Sequence, residues 1–258
     1  MESRSPVLEL TEGFKRREQG GVAFELAIPD LRLYAGQFVA IVGDSGCGKS
    51  TLLDILALVS KPSRCATFVY SESDGGERGD GLGIDPKLNL KLDLKRLWER
   101  ADEGQLAALR RSRLGYVLQT GGLLPFLTAF QNVQLPSLLN GRRHDDAIRA
   151  LARRLGVDGV LEKKPQYLSG GQRQRVAILR AVQHHPRIIL ADEPTAAVDK
   201  TRARSIVQDF DALARDTGAT IVMVTHDHDL VAPLADVTYS FEVEELSDSL
   251  TRSTCRRR

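Results

Sequence analysis

Cysteine is scarce in this 258-residue chain, which has three cysteines, at positions 47, 65 and 255. Their number is odd and their spacing is not that of metal ligands, which argues against a disulfide framework. Long apolar runs are also missing, because none approaches the roughly 18 residues that would span a membrane. The N-terminal residues MESRSPVLELTEG lack the apolar segment of a signal peptide. We therefore expect a soluble, cytosolic protein that reaches a membrane only through a partner or through surface charge.

An excess of charge of either sign is missing as well, since 36 Lys and Arg residues stand against 34 Asp and Glu residues, for a net charge of +2. Such a balance provides no bulk attraction for nucleic acid, so no nucleic-acid partner is predicted. Hydrophobic residues make up 42% of the chain, which excludes a chain disordered throughout. The length suits one large domain or two small ones.

The hydrophobic pattern alternates between strands and helices. Period-two alternation over residues 22–28 predicts one strand, and short apolar runs predict three buried strands at residues 38–42, 188–191 and 220–225. Helical patterns occur directly after residue 48, at residues 144–155 and 170–184, and around Ile206 and Phe210. This alternation favours an α/β fold with a mostly parallel sheet.

Three other segments have no part in this alternation. Residues 71–81 are rich in Gly and acidic side chains, which predicts a solvated loop. Residues 92–111 are predicted to be helical, and they either pack on the core as a surface decoration or contact a partner subunit. The basic run RSTCRRR at residues 252–258 is typical of a disordered end.

Residues 43–50 fit the phosphate-loop pattern G-x-x-x-x-G-K-[ST] at every fixed position. Backbone N–H groups of such a loop converge on a polyphosphate, and the following helix adds its positive dipole end. Lys49 would place a charge on the β- and γ-phosphates, and the Ser50 hydroxyl would ligate Mg²⁺. The residues predicted to bind nucleotide here are Gly43, Asp44, Ser45, Gly46, Cys47, Gly48, Lys49, Ser50 and Thr51.

Two acidic residues, Asp192 and Glu193, follow the apolar run at residues 188–191. Ligands of open α/β sheets bind at the carboxyl ends of the strands, where these side chains are expected. Asp192 is a candidate Mg²⁺ ligand, and Glu193 is a candidate general base for a water in line with the γ-phosphate. The plain alternative is two solvated acids that cap a strand.

A second anion site is predicted at residues 168–172, which read LSGGQ and precede a helix. Ser169 is a good N-cap residue, and two glycines leave backbone amides exposed at the helix N-terminus. This pentapeptide resembles the signature motif of the ATP-binding cassette (ABC) ATPases. Residues 43–50 are similar to the Walker A motif of that family, and Asp192 and Glu193 are similar to Walker B and its catalytic glutamate.

The resemblance extends over nearly the whole chain. Gln119 is similar to the Q-loop glutamine, Asp199 ends a segment that looks like the D-loop, and His226 looks like the switch histidine. Phe14 looks like the A-loop aromatic that stacks on adenine. Phe24 is the alternative, and core packing is the plain alternative for both rings.

The resemblance implies a head-to-tail dimer that holds ATP between the P-loop of one subunit and the LSGGQ segment of the other. Ser169, Gly170, Gly171 and Gln172 would then serve the partner's nucleotide. His226 would contact the γ-phosphate in its own subunit. Gln119 would sense Mg²⁺ or the attacking water, as both a metal ligand and a catalytic residue.

The fold implied by the resemblance is a P-loop NTPase (RecA-like) core with a mostly parallel sheet, an N-terminal antiparallel β part and an inserted α-helical subdomain. Residues 1–258 would form a single ABC ATPase domain. Its nucleotide-binding core would cover about residues 1–118 and 185–258, the helical subdomain about 119–184, and an atypical insertion about 71–95. After His226 the sequence lacks the usual strand-turn ending of the family.

The implied function is that of an ATP-binding and ATP-hydrolysing subunit that dimerises, most simply as a homodimer, to drive a separate membrane permease. Residues 116–136 and 191–199 look most like the ATPases of lipoprotein-release and macrolide-export systems. The expected location is the cytoplasmic face of the inner membrane, through the permease. The alternatives are a soluble non-transport ABC ATPase and an ATP-gated regulator with little turnover.

Overall fold

The computed structural model of the protein describes residues 5–72, 90–196 and 200–258. A single sheet runs through this part of the chain. Its strands are β1 (Leu8–Gln19), β2 (Val22–Leu33), β3 (Phe38–Val42), β4 (Thr67–Glu72), β5 (Leu90–Asp93), β6 (Leu114–Val117), β7 (Ile188–Asp192), β8 (Thr220–Thr225), β9 (Val237–Ser247) and β10 (Leu250–Arg257). Their order in the sheet is β5-β4-β1-β2-β10-β9-β3-β8-β7-β6.

The sheet has an antiparallel side and a parallel side. Strands β1, β2, β4 and β5 pair antiparallel, beginning with the long β1–β2 hairpin. Strands β3, β6, β7 and β8 pair parallel, and β9 continues the parallel arrangement beside β3. The α/β fold class with a mostly parallel core sheet and an N-terminal antiparallel part is therefore confirmed.

Helices cover the sheet and extend from it. They are α1 (Lys49–Leu56), α2 (Leu94–Glu99), α3 (Glu103–Arg113), α4 (Ala129–Leu139), α5 (Asp145–Arg154), α6 (Gly170–Val182), α7 (Lys200–Thr217) and α8 (His228–Val231), with single 3₁₀ turns at Asp158–Val160 and Pro165–Tyr167. In the described part of the chain, no helix is both long and apolar enough to cross a membrane.

The parallel strands are buried on both faces, which explains why they read as continuous apolar runs. In β3, Phe38, Ala40 and Val42 belong to one hydrophobic cluster, whereas Val39 and Ile41 belong to another. The first cluster contains the helical residues of α6, and the second contains α1 and the antiparallel strands. The phosphate loop thus follows a strand whose two faces are both packed in the hydrophobic core.

The C-terminal segment differs from the sequence-based expectation. Strands β9 and β10 form an antiparallel hairpin, and β10 also pairs parallel with β2. The expected absence of a strand-turn ending is therefore wrong, and so is the expected disorder of residues 252–258. The physical reason is that β10 gains its backbone partners from β2, more than 200 residues earlier in the chain, and no local pattern signals such a pairing.

The segment around residues 92–111 also differs from the single helix expected there. Its first residues belong to β5, and the remainder forms α2 and α3. Asp93 and Asp102 cap these two helices with their side chains, and Ala101 between them has a positive φ of 52°. Most of the loop predicted at residues 71–81 lies outside the described residues. The domain boundaries near residues 119 and 184 stay a prediction.

Candidate nucleotide-binding site

The phosphate loop connects β3 to α1, as its sequence predicts. Gly46 and Gly48 have φ values of 83° and 105°, a region that residues with a Cβ rarely adopt. Gly48 is also the N-cap of α1, so the loop feeds directly into a helix N-terminus. The loop therefore presents backbone amides and the positive end of a helix dipole to the same side.

Lys49 is held inside this loop. Its Nζ atom donates hydrogen bonds to the carbonyl oxygens of Gly43 at 2.8 Å and Asp44 at 2.7 Å. The side chain is only 6% exposed. The ammonium group is thus already fixed within the loop before a phosphate binds, which reduces the entropy that it loses on binding an anion.

A cavity of about 410 Å³ opens beside the loop. Its lining residues come from the antiparallel strands, the phosphate loop, α1, the segment after β6 and the end of β7, and they are Arg17, Phe24, Ser45, Gly46, Gly48, Lys49, Ser50, Thr51, Gln119, Asp192 and Glu193. The structure therefore brings nine of the sequence-predicted site residues, from the phosphate loop, Gln119 and the acidic pair, together around one space.

Asp192 ends β7 and lies against the start of α1. Its carboxylate accepts a hydrogen bond from the Ser50 hydroxyl, and burial raises the pKa of Asp192 above its usual value. Among the described residues, no three His, Cys, Asp or Glu side chains are grouped so as to hold a metal ion by themselves. Mg²⁺ needs only one or two protein oxygens when phosphate and water supply the others, so this Asp–Ser pair fits the ion.

Glu193 has an unusual backbone conformation, with a positive φ of 43°. Its Oε1 atom lies 3.7 Å from Lys49 Nζ, and its Oε2 atom lies 3.2 Å from His226 Nδ1. A non-glycine residue in this region costs free energy, and such strain occurs preferentially at functional sites. The strained turn aims the carboxylate at the phosphate-loop lysine instead of leaving it as a solvated cap of β7.

The aromatic residue at the cavity is Phe24, not Phe14. Phe14 lies opposite Ala27 in the β1–β2 hairpin, and the Arg64 guanidinium lies over its ring, 4.4 Å from the centroid. Positions 24 and 27 of β2 differ by three, so their side chains lie on opposite faces of the strand. Of the two rings, Phe24 is therefore the one that lines the cavity, and which of them stacks on adenine stays a prediction.

Arg17 is a cavity residue that the sequence analysis missed. It lies directly opposite Phe24 in the hairpin, and its guanidinium forms an ion pair with Asp54 of α1 at 3.3 Å. Its place at the cavity follows from the cross-strand register with Phe24, since opposite residues share a face, and the sequence alone carries no signal for that register. Together, Arg17 and Phe24 form the wall of the cavity on the side of the antiparallel strands.

The signature segment lies on another element and does not line the cavity. Ser169 caps α6 by accepting a hydrogen bond from the Gln172 N–H at 3.2 Å, and the Gln172 side chain accepts one from the Ser169 N–H at 2.9 Å. This capping box orders the turn, and Ser169 remains exposed. Gly171 follows in the first helical turn, where a Cβ would meet no described atom within 4 Å.

Two other predicted residues, His226 and Cys47, are not among those that line the cavity. His226 follows β8 and reaches the site through its contact with Glu193. Cys47 is buried, and burial raises the pKa of its thiol. Asp199 lies outside the described residues, so the D-loop prediction has no structural counterpart here.

Comparison with known proteins places this geometry in a family. The family model described as ABC transporter matches residues 26–196. The chain is 39% identical to the uncharacterized ABC transporter ATP-binding protein YvrO of Bacillus subtilis, covering 84% of this chain and 85% of YvrO. It is also 40% identical to the macrolide export ATP-binding/permease protein MacB of Bordetella avium, over 86% of this chain but only 31% of MacB.

Solved structures agree with this assignment. The dimeric structure of MJ0796, an ABC transporter cassette, matches with a TM-score of 0.72 and 32% identity, covering 90% of this chain and 93% of MJ0796. A post-hydrolysis dimer of MJ0796 bound to ADP and Pi matches with the same TM-score and 30% identity, covering 95% of this chain and 97% of that one. The chain therefore belongs to the ABC transporter family, as an ATP-binding and ATP-hydrolysing subunit.

Proposed function

We propose that two copies of this chain form a head-to-tail dimer in which the Ser169–Gln172 turn of one copy binds the terminal phosphate of the ATP held by the other. The observation that carries the proposal is Gly171. A glycine in a helix costs about 0.5–1 kcal/mol relative to alanine, and the space around a Cβ at Gly171 is open within the described chain. Nothing in the described part of the protomer crowds this position, whereas a close approach of backbone amides to a partner's phosphate would require a glycine here.

The chemistry within each site follows from the distances. Glu193 is the general base that orients and deprotonates the attacking water, since its carboxylate lies beside the phosphate-binding Lys49. His226 lies with Nδ1 3.2 Å from Glu193 Oε2, and with both ring nitrogens protonated it would donate to Glu193 and to a phosphate oxygen. Ser50 and Asp192 would hold Mg²⁺, which neutralises charge on the phosphate oxygens when bound.

The partner proposed for this dimer is a membrane permease like those of lipoprotein-release and macrolide-export systems, on which ATP hydrolysis would perform mechanical work. Several relatives are named as export ATP-binding/permease proteins, and the chain spans about a third of their length. We place the chain on the cytoplasmic face of the inner membrane, attached through that permease, with no nucleic-acid partner. Gln119 lines the cavity and would pass nucleotide binding on to the permease.

The dimer is tested with Glu193→Gln, which removes the base but keeps the size of the side chain. With ATP and Mg²⁺, this variant is expected to sediment as a dimer, and its hydrolysis is expected to fall by roughly 10²–10⁴-fold, the usual contribution of a general base. The matched control is Glu193→Gln combined with Gly171→Asp, which should stay monomeric because a carboxylate would repel the partner's phosphate. A monomer in both variants, with the permease absent or present, would contradict the proposal.

A further inference from the structure

The C-terminal hairpin does more than extend the sheet, because its buried face contacts the phosphate loop. Ser253 and Cys255 alternate with exposed residues along β10, and both are buried, at 0% and 1% exposure. From the neighbouring β9, the ring of Phe241 lies 3.1 Å from where a Cβ of Gly43 would stand. The two strands therefore form a support beneath the first half of the loop.

One hydrogen bond joins this support to the loop backbone. The Ser253 hydroxyl donates to the carbonyl oxygen of Cys47 at 2.6 Å, across 206 residues of sequence. Ser253 is fully buried and Cys47 is nearly so, and water does not compete for the bond.

The Cys47 carbonyl belongs to the same peptide group as the Gly48 N–H. A peptide unit is planar, so in its trans form the carbonyl and the following N–H point in opposite directions. Fixing the carbonyl toward β10 therefore turns the Gly48 N–H away from β10, and Gly48 itself lines the cavity. The bond to Ser253 determines which way this peptide faces.

This peptide has unusual freedom to turn over. It turns about the ψ of Cys47 and the φ of Gly48, and Gly48 has a positive φ of 105°. Because glycine populates both signs of φ with similar ease, the local chain does not by itself fix the peptide orientation. A flipped peptide would present a carbonyl dipole, instead of an N–H, to an anion in the cavity.

An ion pair fixes the position of β10 itself. Arg252 donates from Nε and Nη2 to Oε2 of Glu25, at 3.0 and 2.7 Å, and Glu25 is buried and adjacent to the cavity residue Phe24. These contacts hold the register of β10 against β2, and hence the position of Ser253 under the loop.

We infer that Ser253 is a positioning residue for nucleotide binding, which orients the Cys47–Gly48 peptide so that its N–H faces the phosphates. The inference rests on the proposed nucleotide site and adds the C-terminal strand to its machinery. It predicts that loss of the Ser253 hydroxyl weakens binding of ATP and ADP alike, since the loop contacts phosphates common to both.

The test is Ser253→Ala in the full chain, with Ser253→Thr as the conservative variant that keeps the hydroxyl. For Ser253→Ala, the KM for ATP and the Kd for ADP are expected to rise about tenfold, which corresponds to one lost hydrogen bond to a charged group. The kcat is expected to stay within about twofold, because Glu193 is untouched. Ser253→Thr is expected to restore most of the affinity.

The matched control is Ser249→Ala in the turn of the same hairpin, where the hydroxyl lies 3.5 Å from the Ser247 hydroxyl. It should leave KM and Kd unchanged. If Ser253→Ala is insoluble, Ser253→Cys, which keeps the volume and weakens the donor, is measured in its place. A wild-type KM with only a lower melting temperature would overturn the inference, whereas a wild-type protein that binds no ATP would instead refute the nucleotide site itself.

Discussion

At the scale of single residues, the site depends on backbone conformations as much as on side-chain chemistry. Gly46, Gly48 and Glu193 all have positive φ values, and they stand at the loop and the strand end that face each other across the cavity. The residue types of the phosphate loop and of the acidic pair could be predicted from sequence because their spacing is fixed. The strain at Glu193 could not, since nothing in the sequence distinguishes a strained carboxylate from a relaxed one.

The choice between Phe14 and Phe24 depends on strand register, which motif position does not report. Both are aromatic residues in N-terminal strands, and motif position favoured Phe14. The strand register decides for Phe24, because cross-strand pairing with Arg17 places it on the cavity. Sequence alone does not give that register when both faces carry mixed residues.

We predict that Phe24→Ala weakens ATP binding by roughly 10–100-fold, the effect of losing one base-stacking aromatic worth about 1–3 kcal/mol. Phe24→Tyr is expected to retain most of the affinity. Phe14→Ala, the matched comparison, should change affinity by less than about twofold and act on stability through its lost Arg64 contact, worth about 0.5–1 kcal/mol at an exposed site. Titration with a fluorescent ATP analogue measures all three. Equal losses from Phe14→Ala and Phe24→Ala would contradict the assignment.

At the scale of elements, the parallel strands were predictable and the C-terminal hairpin was not. Strands β3, β7 and β8 are buried on both faces, so each appears in the sequence as a continuous apolar run and can be predicted from that run alone. Strand β9 is exposed beyond Phe241, and β10 buries Ser253 and Cys255 only because it pairs with β2. A polar strand that depends on a distant partner has no signal of its own.

The junction between α6 and β6 gives an element-scale prediction about pH. His184 follows α6, its Nε2 atom lies 3.1 Å from the Leu114 carbonyl oxygen, and burial lowers its pKa to about 4. Below about pH 6.5, His184 is protonated in the unfolded chain but stays neutral in the folded protein, which favours unfolding. The free energy of unfolding is therefore unaffected by this group above pH 6.5 and decreases as the pH falls towards 4. Protonation of His184 lowers the free energy of unfolding by about 3 kcal/mol over this range.

The measurement is urea unfolding of wild type and His184→Gln from pH 7.5 to pH 4. The variant is expected to lose less stability over this range, because its amide can keep the contact with Leu114 without titrating. Carboxylates that protonate in the same range act equally in both proteins and cancel in the difference. The exposed His144→Gln serves as the control and should follow wild type. Parallel pH profiles for wild type and His184→Gln would refute the role assigned to burial.

At the scale of the whole molecule, the described part of the chain holds the phosphate-loop cavity and the signature turn in two different places. The phosphate loop, Asp192 and Glu193 surround one cavity, and the capped turn at Ser169 lies on a separate element with its side chain exposed. In the proposed dimer, the loop of one copy and the turn of the other would together complete a site. The related MJ0796 cassette has been solved as a dimer.

Mixing two inactive variants tests this account most directly. Lys49→Ala loses the phosphate-loop charge, and Gly171→Asp loses the signature turn, so each homodimer should be inactive. A mixed dimer retains one site with an intact loop from the Gly171→Asp chain and an intact turn from the Lys49→Ala chain. With random pairing and independent sites, an equimolar mixture should regain roughly a quarter of the wild-type ATPase rate. A mixture no more active than its two components measured separately would contradict the composite site.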